Sequence, residues 1–385
     1  MVVGFDTLGE NPNSYTSALN YLIEFNKYFK KKKNCKILLF GSTKNKHFFK
    51  FNDNTIFINC YFSNENVILR ILAQQILIPI FLKYYKANLH FSPLNSAPIF
   101  TNIPVILKIN TLHHLYISNK NKNVTLMKRV INSLRRLYRY IFFDLSIKKA
   151  KIIISNTIYT KNQILKFYNI DPDKVINIYE SYDFRFGSYD KNFSKNLVFE
   201  KFDINYDYIF YPANFWEYKN HIGAIESYNI FLKKYRKDVK LLLVGRDEEN
   251  IKLRLNNLTV KYEIYDMVKY LDFVKIDDIV HLLNSSSVLF FPSKMETFGK
   301  PIVEAMASRV PIVASNNSSF PEIISNKYFL CDPNDHELFA DKLYESIFND
   351  DKKTVKENYI KSKEFTYEKS FDKLYKVFKE KCQKK

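Results

Sequence analysis

The sequence is poor in glycine and cysteine. Its 385 residues include 7 glycines, whereas average usage would give roughly 27. This scarcity excludes a collagen-like chain and argues against a glycine-rich phosphate loop. The four cysteines are scattered without a Cys-x-x-Cys pair, which excludes a disulfide scaffold and predicts a reduced, cytosolic chain without a zinc site. They are Cys35, Cys60, Cys331 and Cys382.

Long apolar runs are also missing. Met1 leads into Val-Val-Gly-Phe-Asp, which lacks the basic head and apolar core of a signal peptide. The most apolar stretch, residues 67–82, is too short and too polar to span a bilayer. Four residues interrupt it, namely Arg70, Gln74, Gln75 and Pro79. We expect this stretch to form a buried helix, and we expect the protein to be cytoplasmic.

Positive charge is abundant and unevenly placed. The chain has 59 Lys and Arg against 40 Asp and Glu, a net charge of +19. Residues 1–180 hold 26 basic and 9 acidic residues, whereas residues 181–385 hold 33 and 31. Such an excess suits nucleic acid, an anionic membrane or phosphorylated ligands, and the total alone does not choose among them.

Short β-branched runs alternate with longer helical patterns, as in stacked βαβ units. This rhythm predicts an α/β protein with two successive parallel-sheet domains over 1–182 and 183–364. The stretch 179–207 has neither hydrophobic period, so we expect the junction there. A final helix over 365–385 should pack back on the first domain with one apolar face. The strand candidates include 105–109, 240–244, 268–271 and 288–291.

The stretch 290–330 predicts a strand, a loop, a helix, a second strand and a second loop. Gly299 allows a sharp turn, and Pro301 suits the first helical position because it has no N–H to leave unpaired. Backbone amides at a helix start bind phosphate, and carboxylates accept hydrogen bonds from sugar hydroxyls. Glu296 at the loop entrance and Glu304, expected in the first helical turn, flank these amides. The amides are those of Thr297, Phe298, Gly299 and Lys300.

The motifs of this stretch follow one another in register: Pro-Ser, Glu-x-Phe-Gly-x-Pro, Glu-Ala-Met-Ala and Pro-Ile-Val-Ala-Ser. Together they resemble the donor half of the group-1, family-4 glycosyltransferases, retaining enzymes of the GT-B fold. The resemblance implies two Rossmann-like domains facing a cleft. It also implies that Glu296 contacts the donor sugar and acts in catalysis, that Glu304 contacts the ribose, and that the loop amides contact sugar and diphosphate.

Two further segments resemble the family with departures. Lys219 matches the family's phosphate-binding lysine, but Asn214 stands where the family often has arginine. In the first domain His113 takes the position of a histidine beside the reacting sugar, and His114 replaces the usual aspartate. The first loop, near Gly9, keeps one glycine, so no contact is carried over to it.

The resemblance implies a nucleotide-diphosphate sugar as co-substrate, with no cofactor and no metal. The acceptor would be a saccharide, which in many bacterial relatives is lipid-linked and belongs to a surface polysaccharide. The enzyme would then work in the cytoplasm or at the inner face of the cytoplasmic membrane. Asp171-Pro-Asp173 follows a helix and fits a cap better than a metal site.

Other readings stay open. An epimerase or a phosphorylase could share the fold, although no segment suits their chemistry. Residues 125–146 mix basic and aromatic side chains as nucleic-acid-binding surfaces do. Their apolar residues, including Ile141 and Leu145, recur at helical spacing and predict a core-facing stripe. The basic residues would then form a solvated face, with an anionic membrane as the next alternative and nucleic acid as the last.

Overall fold

A computed structural model describes residues 1–8, 17–60, 67–112, 141–247, 249–349 and 352–383. The chain divides into two compact units. The first comprises Met1–Tyr179 together with Tyr367–Lys385, and the second comprises Glu180–Thr366. The chain therefore leaves the first unit at residue 179 and returns to it at residue 367.

The first unit is built on a seven-stranded sheet in the order β3-β2-β1-β4-β5-β6-β7, with every pairing parallel. Strand order reverses between β1 and β4, as in doubly wound sheets. The strands are β1 Val2–Asp6, β2 Lys36–Gly41, β3 Thr55–Asn59, β4 Leu89–Ser92, β5 Val105–Ile109, β6 Ile152–Ser155 and β7 Val175–Asn177.

Helices connect these strands. They are α1 Ser17–Phe29, α2 Val67–Leu72, α3 Ile78–Tyr84, α4 at residues 141–149 and α5 Ile158–Phe167. A π-helical turn over Ala73–Leu77 joins α2 to α3, so residues 67–84 run as one helix with a wide turn in the middle.

The last helix of the described chain, α14 (Tyr367–Gln383), packs on the first unit as predicted. Phe371 and Phe378 lie in the same buried core as Phe25 and Phe29 of α1. The ring centres of Phe25 and Phe371 are 5.7 Å apart, and those of Phe29 and Phe378 are 5.4 Å apart. One apolar face of the terminal helix thus completes the core of the first domain.

The second unit has a six-stranded parallel sheet in the order β10-β9-β8-β11-β12-β13. Its strands are β8 Tyr208–Pro212, β9 Lys240–Val244, β10 Val268–Leu271, β11 Val288–Phe291, β12 Ile312–Ser315 and β13 Leu330–Cys331. Its helices are α6 Lys191–Phe202, α7 His221–Tyr235, α8 Ile251–Lys261, α9 Ile276–Ser285, α10 Lys300–Ala307, α11 Phe320–Ile323, α12 His336–Phe348 and α13 Lys352–Ser362. The predicted pair of parallel α/β domains is confirmed.

Two local predictions were wrong, and one helix was not foreseen. The stretch 179–207 contains α6, which Asp190 caps through the backbone N–H groups of Asn192 and Phe193. This helix buries only Ser194 and Val198, too few residues to show a hydrophobic period. In α4 the buried apolar side chains are those of Phe143 and Ile147 rather than the predicted Ile141 and Leu145.

The second error concerns the helix over residues 67–84, which was expected to be buried. It is buried on one side and exposes large apolar side chains on the other. Within the described ranges, no helix is long and apolar enough to cross a membrane.

Candidate donor-binding site of the second domain

The candidate site lies where the strand order of the second sheet reverses. β8 and β11 are neighbours in the sheet, and the strands on either side of them continue outward in opposite orders. Open parallel sheets bind ligands outside the carboxyl ends of such a strand pair. Lys219 follows β8, and Glu296 follows β11. The fold therefore brings two of the predicted residues, 77 positions apart in sequence, to one edge.

Lys219 and Glu296 form an ion pair. The Lys219 Nζ donates a hydrogen bond to Glu296 Oε1, and each side chain is only 12% exposed. Removing one member of an ion pair that is so little exposed destabilises the protein, because the remaining charge loses its partner. The two residues are thus held as a unit at the crevice.

Asn220 fixes the position of this pair. It ends the short 3₁₀ turn Glu217–Lys219 in a left-handed conformation, with φ at +59°. Its side-chain amide donates to the carbonyl of Pro292 at 3.1 Å and to that of Pro333 at 2.9 Å. The loop after β8 is therefore tied to the loop after β11. The sequence analysis did not single out Asn220, although it lies next to the lysine predicted to bind phosphate.

His221 follows the same turn and packs in the core of the domain. Its ring stacks between those of Tyr211 and Phe215, with centres 4.6 and 4.4 Å away. Burial, helped by the nearby charge of Lys219, lowers the pKa of His221 to about 3. The imidazole is therefore uncharged at neutral pH and acts as part of the core.

Asn214 connects two loops at the carboxyl edge of the sheet. Its Oδ1 accepts a hydrogen bond from the backbone N–H of Arg246 at 3.0 Å, and Phe215 N–H donates to the Arg246 carbonyl at 2.9 Å. The loops after β8 and β9 are joined in this way. The Arg246 guanidinium lies 4.3 Å from the ring centre of Phe273, which follows β10. Arg246 is thus a cation at the same edge of the sheet that the sequence analysis missed.

The loop after β11 is braced by side chains around it. Ser319 Oγ donates to the carbonyl of Phe298 at 3.0 Å, and Phe298 itself is buried with its ring 5.7 Å from that of Phe365. Thr297 lies between Glu296 and Phe298. These contacts therefore hold in place the loop that carries the predicted amide donors.

Gly299 is the N-cap of α10, with φ at +84°. A Cβ at this position would lie 2.4 Å from the ring of Phe320, which is fully buried. Both the backbone angle and the available space require glycine here. The helix it begins carries Lys300 first and Pro301 second.

Glu304 lies in the second turn of α10, not in the first as expected. Burial raises the pKa of Glu304 to about 7, with Asp183 adding to the rise and Lys300 and Arg185 opposing it. Near neutral pH this carboxyl group can therefore both accept and donate hydrogen bonds.

Charged residues from the start of the second unit surround α10. Glu180 Oε1 lies 3.7 Å from the Lys300 Nζ. Asp183 binds Arg185 through both carboxylate oxygens, at 2.9 and 2.5 Å. Gly187, with φ at +81°, packs so close to α10 that a Cβ there would lie 2.2 Å from the Ala307 carbonyl. The sequence analysis treated this segment as a junction and missed its carboxylates.

The raised pKa of Glu304 gives a pH prediction. The pKa of this carboxyl group is about 7 in the folded protein and near its ordinary value of 4.5 in the unfolded chain. Between these values the folded state binds more protons, so the free energy of unfolding should fall as pH rises from about 5 to about 7. Glu304→Gln mimics the protonated acid and should remove this part of the slope. Thermal unfolding of both proteins over that range tests it, and parallel curves would contradict the assignment.

A cavity of about 710 Å³ opens at the other end of the sheet. Asp207, Ser287 and Pro311, each just before a strand, line it together with Arg309 and Tyr359. None of the predicted donor-binding residues lines this cavity. The candidate site, by topology and side-chain chemistry, is therefore the carboxyl edge rather than this cavity.

His113 lies outside the described residues, as do His114 and Gly9. The placement of His113 beside the reacting sugar stays a prediction. Asp272, which follows β10, pairs with Lys252 of α8 and is 86% exposed.

The second domain matches a known protein family. Residues 194–363 match the group 1 glycosyl transferases. The match falls within the second domain, and the two predicted carboxylates and the predicted lysine lie inside the matched range. The family-4 assignment within this group remains a prediction.

Curated relatives include several mannosyltransferases. The O-antigen chain mannosyltransferase RfbU of Salmonella typhimurium is 26% identical over 204 residues, which are 53% of this chain and 53% of that protein. The O-antigen chain mannosyltransferase B of Escherichia coli is 26% identical over 211 residues, 53% of this chain and 54% of the other. The chain spans about half the length of these relatives.

Solved structures match over the whole chain. A glycosyltransferase from Rickettsia africae has a TM-score of 0.73 at 19% identity, covering 100% of this chain and 99% of the other. Anabaena HepE, solved with UDP-glucose, has a TM-score of 0.73 at 16% identity, covering 99% and 100%. At these identities the likeness establishes the fold, which is the GT-B fold of two parallel-sheet α/β domains.

Proposed function

We propose that this protein transfers a sugar from a nucleoside diphosphate to a hydroxyl group of an acceptor, with retention at the anomeric carbon. The observation that carries the proposal is the ion pair of Lys219 with Glu296 beside the Gly299-led helix, at the switch point of the second sheet. A cation for a diphosphate, amides for its oxygens and carboxylates for hydroxyls meet there.

In the proposed reaction the bond from the anomeric carbon to the phosphate oxygen breaks, and a bond to the acceptor oxygen forms. The acceptor proton passes to the departing phosphate on the same face of the sugar. Lys219 and the N–H groups at the start of α10 stabilise the negative charge that grows on the diphosphate. This route needs no carboxylate nucleophile, no metal and no cofactor.

When the donor binds, Lys219 and Glu296 would exchange their mutual contact for contacts with the donor. In the structure, Lys219 is neutralised by Glu296. A bound diphosphate would draw the ammonium toward itself and leave the carboxylate to accept hydrogen bonds from the sugar. We propose that Thr297, Phe298, Gly299 and Lys300 contribute backbone amides, that Glu304 binds the ribose, and that Asn214 braces the loop.

Mannose is the sugar we propose first. The two O-antigen relatives are named as mannosyltransferases, and a mannosyltransferase of Mycolicibacterium hassiacum is 34% identical over 118 residues, 28% of each chain. The acceptor we propose is a saccharide of a surface polysaccharide, bound to a lipid carrier. Such an acceptor would place the reaction in the cytoplasm, at the inner face of its membrane.

A panel of nucleoside diphosphates and nucleotide sugars tests the donor site. At least one nucleoside diphosphate should raise the unfolding temperature, because a ligand that binds only the folded state stabilises it. The mannose conjugate of that nucleoside diphosphate should then donate its sugar to a lipid-linked acceptor. A metal chelator should not change the rate. If no nucleoside diphosphate stabilises the fold, the transferase proposal fails. If the donor isomerises without an acceptor, an epimerase is the better assignment.

A further inference from the structure

The first domain exposes a row of large apolar side chains along the helix of residues 67–84. Six side chains share this exposed side, which we call the apolar stripe. They are Leu69, Leu72, Ile76, Leu77, Ile80 and Tyr84, with exposed fractions from 36% to 75%. Scattered apolar residues are normal on a protein surface, but a continuous row marks an interaction surface.

The wide turn in this helix keeps the row aligned. The opposite side is held in the domain by Gln74 and Gln75 of the wide turn and by Ile78 and Leu82 of α3, all buried. Gln75 Nε2 donates to the carbonyl of Ala97 at 3.0 Å, and Gln75 Oε1 accepts from the N–H of Ile99 at 2.8 Å. The helix is thus fixed by its polar turn, and its apolar side faces outward.

The apolar surface continues onto a neighbouring helix. Ala97, which binds Gln75, also donates its N–H to Ser146 Oγ of α4 at 3.0 Å. The two helices therefore lie on either side of this loop. The apolar residues exposed on the loop and on α4 are Phe100, Ile141 and Leu145, at 72%, 43% and 39%.

The charges around the stripe are mostly positive. Residues 67–86 contain Arg70, Lys83 and Lys86 and no carboxylate, and Lys83 and Lys86 are exposed. Lys148 and Lys149 follow on α4, which also carries Asp144, 3.7 Å from the Lys148 Nζ. This stripe belongs to the half of the chain that has 26 basic and 9 acidic residues.

We propose that the apolar stripe docks on an anionic lipid bilayer. Helices that lie in a membrane interface combine an apolar face with flanking lysine and arginine, whose long side chains reach the headgroups. A second copy of this chain would bring the same positive charge to the interface, so self-association is opposed. Anionic headgroups complement both the charge and the apolar row.

Vesicle sedimentation with the full chain tests the proposal, independently of any transfer activity. The wild type should bind vesicles of phosphatidylcholine and phosphatidylglycerol in equal parts, and bind pure phosphatidylcholine at least about tenfold more weakly. Raising salt from about 0.1 M to about 1 M should weaken binding to the anionic vesicles, because the screening length falls from ~10 Å to ~3 Å.

A pair of double variants separates the stripe from other apolar surface. Ile76→Asn with Ile80→Asn should lower binding at least about tenfold, since two apolar side chains no longer enter the interface. Leu253→Asn with Val260→Asn changes residues of α8 that are 67% and 65% exposed, and should bind as the wild type does. Circular dichroism checks that both variants fold.

Three results would overturn the proposal. The wild type could fail to bind anionic vesicles, or the Ile76 and Ile80 double variant could bind as well as the control. The stripe could also join two copies of the chain. In that case the wild type would form a concentration-dependent dimer that the double variant abolishes, without vesicle binding.

Discussion

Glu296→Gln is expected to lower kcat/KM for sugar transfer by about 10²- to 10³-fold. The substitution keeps the shape of the side chain but removes the charge that pairs with Lys219. The same charge is the one proposed to accept the sugar hydroxyls. Interactions of this kind contribute most when charge develops in the transition state. Steady-state kinetics with a nucleotide sugar and acceptor measure the loss, and most of it should appear in kcat.

Two further variants make this prediction sharper. Asp272→Asn removes another carboxylate from the same edge of the sheet, but Asp272 is 86% exposed and pairs with Lys252, so activity should be retained. Lys219→Met combined with Glu296→Gln should be little worse than the poorer single variant, because the pair acts as a unit. A Glu296→Gln protein with more than a tenth of wild-type activity would remove Glu296 from the proposed mechanism.

Gly299→Ala should destabilise the second domain by about 2–4 kcal/mol. The new Cβ would lie 2.4 Å from the ring of Phe320, and the backbone would have to keep φ at +84°. A left-handed angle costs alanine about 1–2 kcal/mol, and the clash with a fully buried ring adds to this. Urea unfolding followed by circular dichroism measures the loss, and donor binding should weaken as the loop shifts.

The two causes of this loss can be separated. Phe320→Leu shortens the neighbour, so the double variant Gly299→Ala with Phe320→Leu should recover the part due to the clash but not the part due to the backbone angle. The coupling between the two substitutions then gives the steric share. If Gly299→Ala unfolds at the wild-type urea concentration, the helix does not depend on glycine at this turn.

The sequence predicted the strands well because most of them are central in parallel sheets. The bounds predicted for β5, β9, β10 and β11 coincide with those observed. Strands buried on both faces form continuous runs of valine, isoleucine and leucine, which stand out from their surroundings. The short β7 (Val175–Asn177) was missed because three residues show no period.

The local anatomy of the site was predicted less completely. The Glu296 loop and Gly299 were visible as a motif, because each position depends on chemistry that few residues supply. Glu180 and Asp183 were missed because what brings them to α10 is packing across 120 residues of chain, which no local pattern records. The exposed side of residues 67–84 was missed for a related reason, since a π turn changes which residues share a face.

The route of the chain has a consequence for synthesis. Residues 180–366 form the second unit without a break, whereas the first unit needs α14, which is made after them. Domains fold as units while the chain emerges from the ribosome. The second unit can therefore finish folding first, while the core around Phe25 and Phe29 waits for Phe371 and Phe378. Until then, the basic domain exposes apolar surface that a chaperone could hold.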